Sequence, residues 1–197
     1  VTSHPLETED DEEPPETPCD CKIPTKESGR IPYVLEVMHR MKEEIGDTTA
    51  LYGLICGPFT LASHLRGNEV FTDMYDFDDE ISELCARTAM KMADYYIEAG
   101  MDVIALVDPL ISQISADDFD QYMIEPYTEI FNHIREKGAF SSFFVCGDAS
   151  RNIEGMCKTK PDSISVDENV DIVKAKEITD RYDVTIGGNI PLTTVMR

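Results

Sequence analysis

The residues of this sequence best suited to chemistry follow two consecutive predicted strands. Cys146 comes directly after the apolar run at residues 140–145, which predicts a strand buried on both faces of a parallel sheet. Asp167 and Glu168 follow the next predicted strand, at residues 163–166. Parallel α/β folds collect ligands at the edge formed by the carboxyl ends of their strands, the mouth. The sequence therefore predicts a mouth at which a thiol meets two carboxylates.

Polar residues also follow the other predicted strands. A Gly-Pro turn places Thr60, Ser63 and His64 near the carboxyl end of one strand. Asp108 ends a second strand, and Asn189 follows the last one. Three of these residues also have a structural interpretation. Asp108 can cap a loop, His64 can lie on a helix surface, and Asn189 can order a turn.

The charge of the chain excludes two classes of partner. The 197 residues contain 17 Lys and Arg against 39 Asp and Glu, a formal net charge of −22. Such a field repels nucleic acid phosphates and anionic lipid surfaces. No apolar run approaches the roughly 18 residues that a membrane-spanning helix needs, and no basic-then-apolar leader is visible. We therefore predict a cytoplasmic protein that binds neither nucleic acid nor membrane.

The six cysteines predict free thiols rather than a disulfide scaffold. Cys56 and Cys85 lie in apolar segments, which is typical of core packing. Cys157 lies in a basic segment that can lower a thiol pKa, but a bystander role is the favoured interpretation. Cys19 and Cys21 are spaced more closely than the paired ligands of most tetrahedral zinc sites.

The chain divides into an arm and a folded domain. Residues 1–30 form an acidic, proline-rich arm or linker that cannot bury enough apolar surface to fold alone. Residues 31–197 alternate apolar strands with amphipathic helices. Predicted strands cover residues 50–56, 101–107, 140–145, 163–166 and 184–186. Predicted helices cover residues 31–45, 59–65, 77–99, 119–137 and 173–181, and a further helix begins near residue 150.

This alternation predicts an α/β fold with a parallel sheet. The chain lacks a phosphate-binding glycine motif, which favours a (β/α)8 TIM-barrel fold over a nucleotide-binding doubly wound sheet. A closed barrel needs eight strands in typically about 250 residues, whereas five strand–helix units are visible here. We therefore expect a partial barrel from a longer protein, completed by unseen residues, by a further chain or by a homodimer partner.

Five motifs, in this order and spacing, resemble the uroporphyrinogen decarboxylase family. They are Gly57-Pro58-Phe59-Thr60-Leu61, Val107-Asp108-Pro109, Val145-Cys146-Gly147-Asp148, Ser165-Val166-Asp167 and Gly187-Gly188-Asn189-Ile190. Each motif stands at the end of a predicted strand, and the resemblance extends from residue 31 to residue 196. It implies a (β/α)8 barrel with its site at the carboxyl-terminal mouth.

The resemblance implies one of two chemistries. One branch of the family decarboxylates the acetate side chains of uroporphyrinogen without a metal or cofactor. The other transfers a methyl group from a methylated corrinoid protein to a thiol such as coenzyme M, with zinc supplying the thiolate. The Cys-Gly-Asp turn favours the methyltransferase branch, as does His64, which stands where the decarboxylases have Tyr.

The methyltransferase branch implies a zinc site with three protein ligands. Cys146 matches one of them. Phe144 occupies the position of the family's histidine ligand, so Asp148 or His64 is a candidate substitute. We expect the third ligand beyond Arg197.

The predicted site therefore has three kinds of member. Catalytic roles are predicted for Asp108, Asp167 and His64, substrate-binding roles for Thr60, Ser63 and Asn189, and a metal-binding role for Cys146, with Asp148 as a second candidate. The predicted partners are a corrinoid protein and a small thiol. Two alternatives stay open: a porphyrinogen decarboxylase, and a divergent, non-catalytic barrel, which the phenylalanine at position 144 favours.

Overall fold

The computed structural model describes residues 22–73 and 80–191, in which strands alternate with helices. The strands are β1 (Tyr52–Cys56), β2 (Val103–Val107), β3 (Phe140–Val145), β4 (Ser163–Val166) and β5 (Thr185–Gly188). The helices are α1 (Ile31–Ile45), α2 (Pro58–Arg66), α3 (Val70–Asp73), α4 (Glu80–Glu98), α5 (Ala116–Asp118), α6 (Ile124–Glu136), α7 (Ile153–Lys158) and α8 (Ile172–Thr179). A π-helical stretch, Phe119–Met123, joins α5 to α6.

The five strands form one parallel sheet in the order β1-β2-β3-β4-β5. A doubly wound sheet reverses its strand order at a switch point, whereas a barrel adds each strand beside the previous one. The order observed here is that of a barrel. The predicted α/β fold of TIM-barrel type, with five strand–helix units, is therefore confirmed, and the carboxyl ends of all five strands share one edge, the mouth.

The outer face of the sheet packs against the helices and forms the core. Ile104, Leu106 and Phe143 are fully buried on this face. The Phe143 ring stacks on Tyr127 of α6, with 4.9 Å between ring centroids, and lies 5.4 Å from the Phe131 ring. Each such side chain contributes about 1.5–3 kcal/mol by leaving water. This apolar layer fixes the helices relative to the strands.

The inner face of the sheet is open at β1 and at the start of β3. Tyr52, Leu54 and Phe140 are 58%, 59% and 64% exposed. Two predictions were therefore wrong: residues 140–145 are not buried throughout, and Cys56 is exposed rather than part of the core. The physical reason is strand alternation, which turns every second side chain toward the inner face, and the described residues leave that face uncovered along β1 and at the start of β3. Cys85, by contrast, is buried as predicted.

The predicted elements agree with the observed ones except at their ends. Strands β1 and β2 begin at Tyr52 and Val103 rather than at residues 50 and 101. The residue before β1 has both kinds of contact. The Leu51 N–H donates to Asp102 Oδ2 at 2.8 Å, and its carbonyl accepts from the N–H groups of Asp102 and Val103 at 2.9 and 3.1 Å. Among the described residues, no helix combines the length and the hydropathy that crossing a membrane requires.

Part of the predicted arm contacts the folded domain. Within residues 22–30, the Pro24 carbonyl accepts a hydrogen bond from the Tyr95 hydroxyl at 3.2 Å, and Lys26 pairs with Glu98. The rest of the arm, with Cys19 and Cys21, and the predicted start of a helix at residues 77–79 lie outside the described residues.

Candidate functional site

A fully buried carboxylate, Asp108, lies where β2 ends. Its Oδ2 accepts hydrogen bonds from the Phe59 N–H at 3.0 Å and from the Tyr127 hydroxyl, and its Oδ1 accepts from the N–H, at 3.0 Å, and the hydroxyl of Thr60. Asp108 therefore caps the first turn of α2. A Cβ atom at Gly57 would lie 2.2 Å from Asp108 Oδ2, so only glycine fits there.

The electrostatics of Asp108 reflect a balance between burial and hydrogen bonding. Burial raises the pKa of Asp108 from 3.8 to about 6, while the hydrogen bonds from Thr60 and Tyr127 oppose that rise. Burial also raises the pKa of Tyr127 well above its usual value, and the charge of Asp108 adds to this effect. The observed contacts of Asp108 are all internal. Its predicted catalytic role stays a prediction, as does the substrate-binding role of Thr60.

The turn that carries Cys146 is tied to the end of β4. The Gly147 N–H donates to Asp167 Oδ2, while Asp167 Oδ1 accepts from the N–H and Nδ2 of Asn169 at 2.9 and 3.0 Å. The Cys146 thiol is half-buried beside this carboxylate. Burial raises the pKa of Cys146, and the charge of Asp167 raises it further. The thiol therefore stays protonated at neutral pH unless a cation approaches it.

Two other predicted site residues have structural contacts of their own. Asp148 is exposed and accepts a hydrogen bond from the Ser150 N–H at 3.1 Å. Hydrogen bonds with the side chain and backbone of Ser150 lower the pKa of Asp148. Asn189 has a left-handed backbone, with φ of 63°, and its Nδ2 donates to the Val170 carbonyl at 2.6 Å. It thereby orders the loops that follow β4 and β5.

The remaining predicted residues lie on α2. The Ser63 hydroxyl donates to the Thr60 carbonyl within the helix at 2.7 Å, and His64 is exposed on the helix surface. Of the predicted set, the structure brings together two pairs: Asp108 with Thr60, and Cys146 with Asp167. The roles predicted for Ser63 and His64 stay predictions.

The zinc centre implied by the resemblance is not assembled by the residues that the structure describes. Within residues 22–73 and 80–191, no group of three or more His, Cys, Asp or Glu side chains can hold a metal ion. Phe144, at the position expected for histidine, has no metal-binding atom. The described residues therefore do not fit a complete zinc site, and Cys146 is the one matching ligand among them.

Sequence reasoning missed several residues that shape the site. Tyr127 lies 19 positions from Asp108 in the sequence, and no local pattern predicts the hydrogen bond between them. Asn169 follows Asp167 by two positions, a spacing typical of a side-chain-capped turn, so this contact had a detectable signal. Cys157, for which the sequence predicts a bystander role, is buried, and this burial raises its pKa to about 11. Its bystander role stays a prediction.

We predict that an Asp108→Asn substitution changes the pH dependence of stability. Because the pKa of Asp108 is higher in the folded state, its contribution to stability is present at low pH and is lost as pH rises through about 6. The asparagine does not titrate. The unfolding free energy of the parent minus that of the variant should therefore fall by about 2 kcal/mol between pH 4.5 and pH 7. Urea denaturation at both values measures this, and an unchanged difference would contradict it.

Comparison with known proteins identifies the family. The family model described as uroporphyrinogen decarboxylase (URO-D) matches residues 5–196. The methylcobamide:CoM methyltransferase MtbA of Methanosarcina acetivorans is 28% identical over 174 residues, which cover 85% of this chain and 50% of MtbA. A uroporphyrinogen decarboxylase of Nostoc punctiforme is 21% identical over 178 residues, with coverages of 85% and 50%.

A solved structure agrees with these sequence matches. A methyltransferase from Methanosarcina mazei superposes with a TM-score of 0.75 at 25% identity, over 84% of this chain and 51% of the other. The chain spans about half the length of the curated relatives it matches. The matched range, the barrel strand order and the motifs at the strand ends lead to one conclusion: the chain belongs to the uroporphyrinogen decarboxylase family.

Proposed function

We propose that the protein to which this chain belongs transfers a methyl group from a methylated corrinoid protein to a small thiol. The observation on which this proposal rests is the Cys146 thiol, held at the mouth in the Cys-Gly-Asp turn after β3. The similarity to MtbA, a methylcobamide:CoM methyltransferase, and to the Methanosarcina mazei methyltransferase supports the same branch of the family.

The charges at the mouth also favour a small thiol over a porphyrinogen. Asp148, Asp167 and Glu168 follow β3 and β4. The pKa of Asp148 is lowered chiefly by its hydrogen bonds with Ser150 and further by the charge of Arg151. Uroporphyrinogen carries several acetate groups, whereas 2-mercaptoethanesulfonate carries a single sulfonate, so these carboxylates would repel the porphyrinogen more strongly. Decarboxylation remains the second candidate because the Nostoc punctiforme relative is a uroporphyrinogen decarboxylase.

The residues of this chain contribute positioning to the proposed reaction. In the transfer, the substrate thiol releases its proton to solvent and its sulfur attacks the methyl carbon of the methylated corrinoid protein. The new sulfur–carbon bond forms as the cobalt–carbon bond breaks, and the electron pair of the broken bond stays on the cobalt of the partner. Asp108 fixes the turn from Gly57 to Thr60 that forms one wall of the mouth, and Asp167 fixes the turn at Cys146. A fixed wall is useful because transfer requires the two reacting atoms to meet in one orientation.

Two partners belong to this proposal. A corrinoid protein would dock at the mouth, because the strand ends that bear the thiol lie there. A further chain segment or a second copy would cover the inner face, where Tyr52, Leu54 and Phe140 are exposed. Exposed apolar side chains grouped on one sheet face are typical of a surface that another element covers.

The two candidate activities are distinguished by supplying both substrates to the full-length protein. We expect methylcobalamin, used in place of the corrinoid protein, and 2-mercaptoethanesulfonate to yield the methylated thiol, detected by mass spectrometry. Uroporphyrinogen should stay unchanged under the same conditions. Decarboxylation without thiol methylation would overturn the proposal, and turnover of neither substrate would favour the non-catalytic alternative.

Zinc is a separate part of the proposal, with Cys146 as the ligand that this chain supplies and the remaining ligands drawn from residues outside the described ranges. We predict about one zinc ion per chain in the full-length protein. Cys146→Ser should abolish it. Cys157→Ser, which changes a buried thiol with a pKa of about 11, should leave the zinc content unchanged. Elemental analysis that finds no zinc in the parent, or the same content in Cys146→Ser, would refute this part.

A further inference from the structure

Strand β4 has an aspartate at each end, and both aspartates hold β3. Before the strand, Asp162 Oδ2 accepts hydrogen bonds from the N–H and the hydroxyl of Ser141, each at 2.7 Å. After the strand, Asp167 Oδ2 accepts from the Gly147 N–H. The two carboxylates therefore bond backbone N–H groups at opposite ends of β3, with Ser141 inside the strand and Gly147 in the turn that follows it. They lie about 17 Å apart along the strand, and only Asp167 is at the mouth.

The oxygens of Asp167 are committed to protein donors. One oxygen accepts from Gly147, and the other accepts from both nitrogens of Asn169. A carboxylate held from both sides has a fixed orientation and few lone pairs left for a substrate proton or a metal. Its contacts instead fix the peptide group that directly follows Cys146.

The loop after β2 confines the same Cys146–Gly147 peptide group from the other side. Gly147 adopts a left-handed backbone with φ of 84°, and a Cβ atom there would lie 2.9 Å from Ser112 Oγ. Ser112 is itself buried, and its hydroxyl donates to the Pro109 carbonyl at 2.8 Å. The turn at Cys146 is therefore enclosed between the loop after β2 and the end of β4.

We propose that Asp167 is a positioning residue that holds the Cys146 thiol in the orientation used at the mouth, rather than a group that contacts the substrate. This inference rests on the proposed function and deepens it. Asp167 acts on the reaction through the Gly147 peptide and, together with Ser112, keeps the thiol from turning away from the mouth.

The test compares Asp167→Ala with Asp162→Ala in the full-length protein. Asp162 is the control because its loss frees the N–H and the hydroxyl of Ser141 at the end of β3 far from the mouth, whereas the loss of Asp167 frees the Gly147 N–H at the mouth. We expect Asp167→Ala to lower kcat for thiol methylation about 10- to 100-fold with the KM for the thiol nearly unchanged. Asp162→Ala should keep kcat within about twofold of the parent, even if its Tm falls by as much as the Tm of Asp167→Ala.

Two further variants separate geometry from charge. Asp167→Asn keeps an oxygen that can accept from Gly147 but removes the charge, so it should restore most of the lost kcat. If Asp167→Ala is unfolded by circular dichroism, Gly147→Ala disturbs the same turn from the Ser112 side and should give the same loss. Equal losses in Asp167→Ala and Asp162→Ala, or no recovery in Asp167→Asn, would overturn the proposal.

A readout without catalysis keeps this test independent of the proposed function. The rate at which iodoacetamide alkylates Cys146, followed by peptide mass spectrometry at one pH, reports how the thiol is presented. Asp167→Ala should alkylate several-fold more slowly than Asp167→Asn, because both lack the charge and only the alanine lets the thiol turn away from the mouth. Asp162→Ala should match the parent. Equal rates in the alanine and asparagine variants would overturn the positioning role, even where no methyl transfer is found in the parent.

Discussion

Parallel pairing of five consecutive strands is the constraint on which the rest of this structure depends. It brings the residues that follow each strand to one edge, although they are far apart in sequence. Asp108 after β2, Cys146 after β3, Asp167 after β4 and Asn189 after β5 all reach the mouth in this way. Side chains of neighbouring loops then bond the backbone that follows two of these strands. Asp108 accepts from the Phe59 and Thr60 N–H groups after β1, and Asp167 accepts from the Gly147 N–H after β3.

The two aspartates differ in how deeply the fold encloses them. Asp108 is fully buried, and its four hydrogen bonds offset part of the cost of removing a carboxylate from water. Asp167 is half-buried and lies beside a thiol. Both serve to fix a glycine-containing turn at the mouth. The chemistry proposed for this family member therefore depends on rigid turns at the ends of β1 and β3.

Much of the architecture follows from local sequence patterns. The apolar runs of β1 to β5, the glycine stops and the helical periodicity predict the elements and, through their alternation, the barrel order. A continuous apolar run does not indicate which face of the strand is covered. This is why the predicted burial of Phe140 and Cys56 is wrong. Long-range contacts are equally invisible: the Thr60 N–H lies 48 positions from the carboxylate that caps it. A complete metal site also depends on several distant segments, so Cys146 by itself does not establish one.

The central claim is that the Cys146 thiol takes part in methyl transfer at the mouth. It is tested most directly by the rate of thiol methylation in full-length protein that bears Cys146→Ser, with Cys157→Ser as the control. The account predicts that Cys146→Ser lowers the rate by at least about 100-fold. Cys157→Ser, which alters a buried thiol of α7, should leave the rate within about twofold of the parent. A Cys146→Ser protein that methylates the thiol at the parent rate would contradict the account.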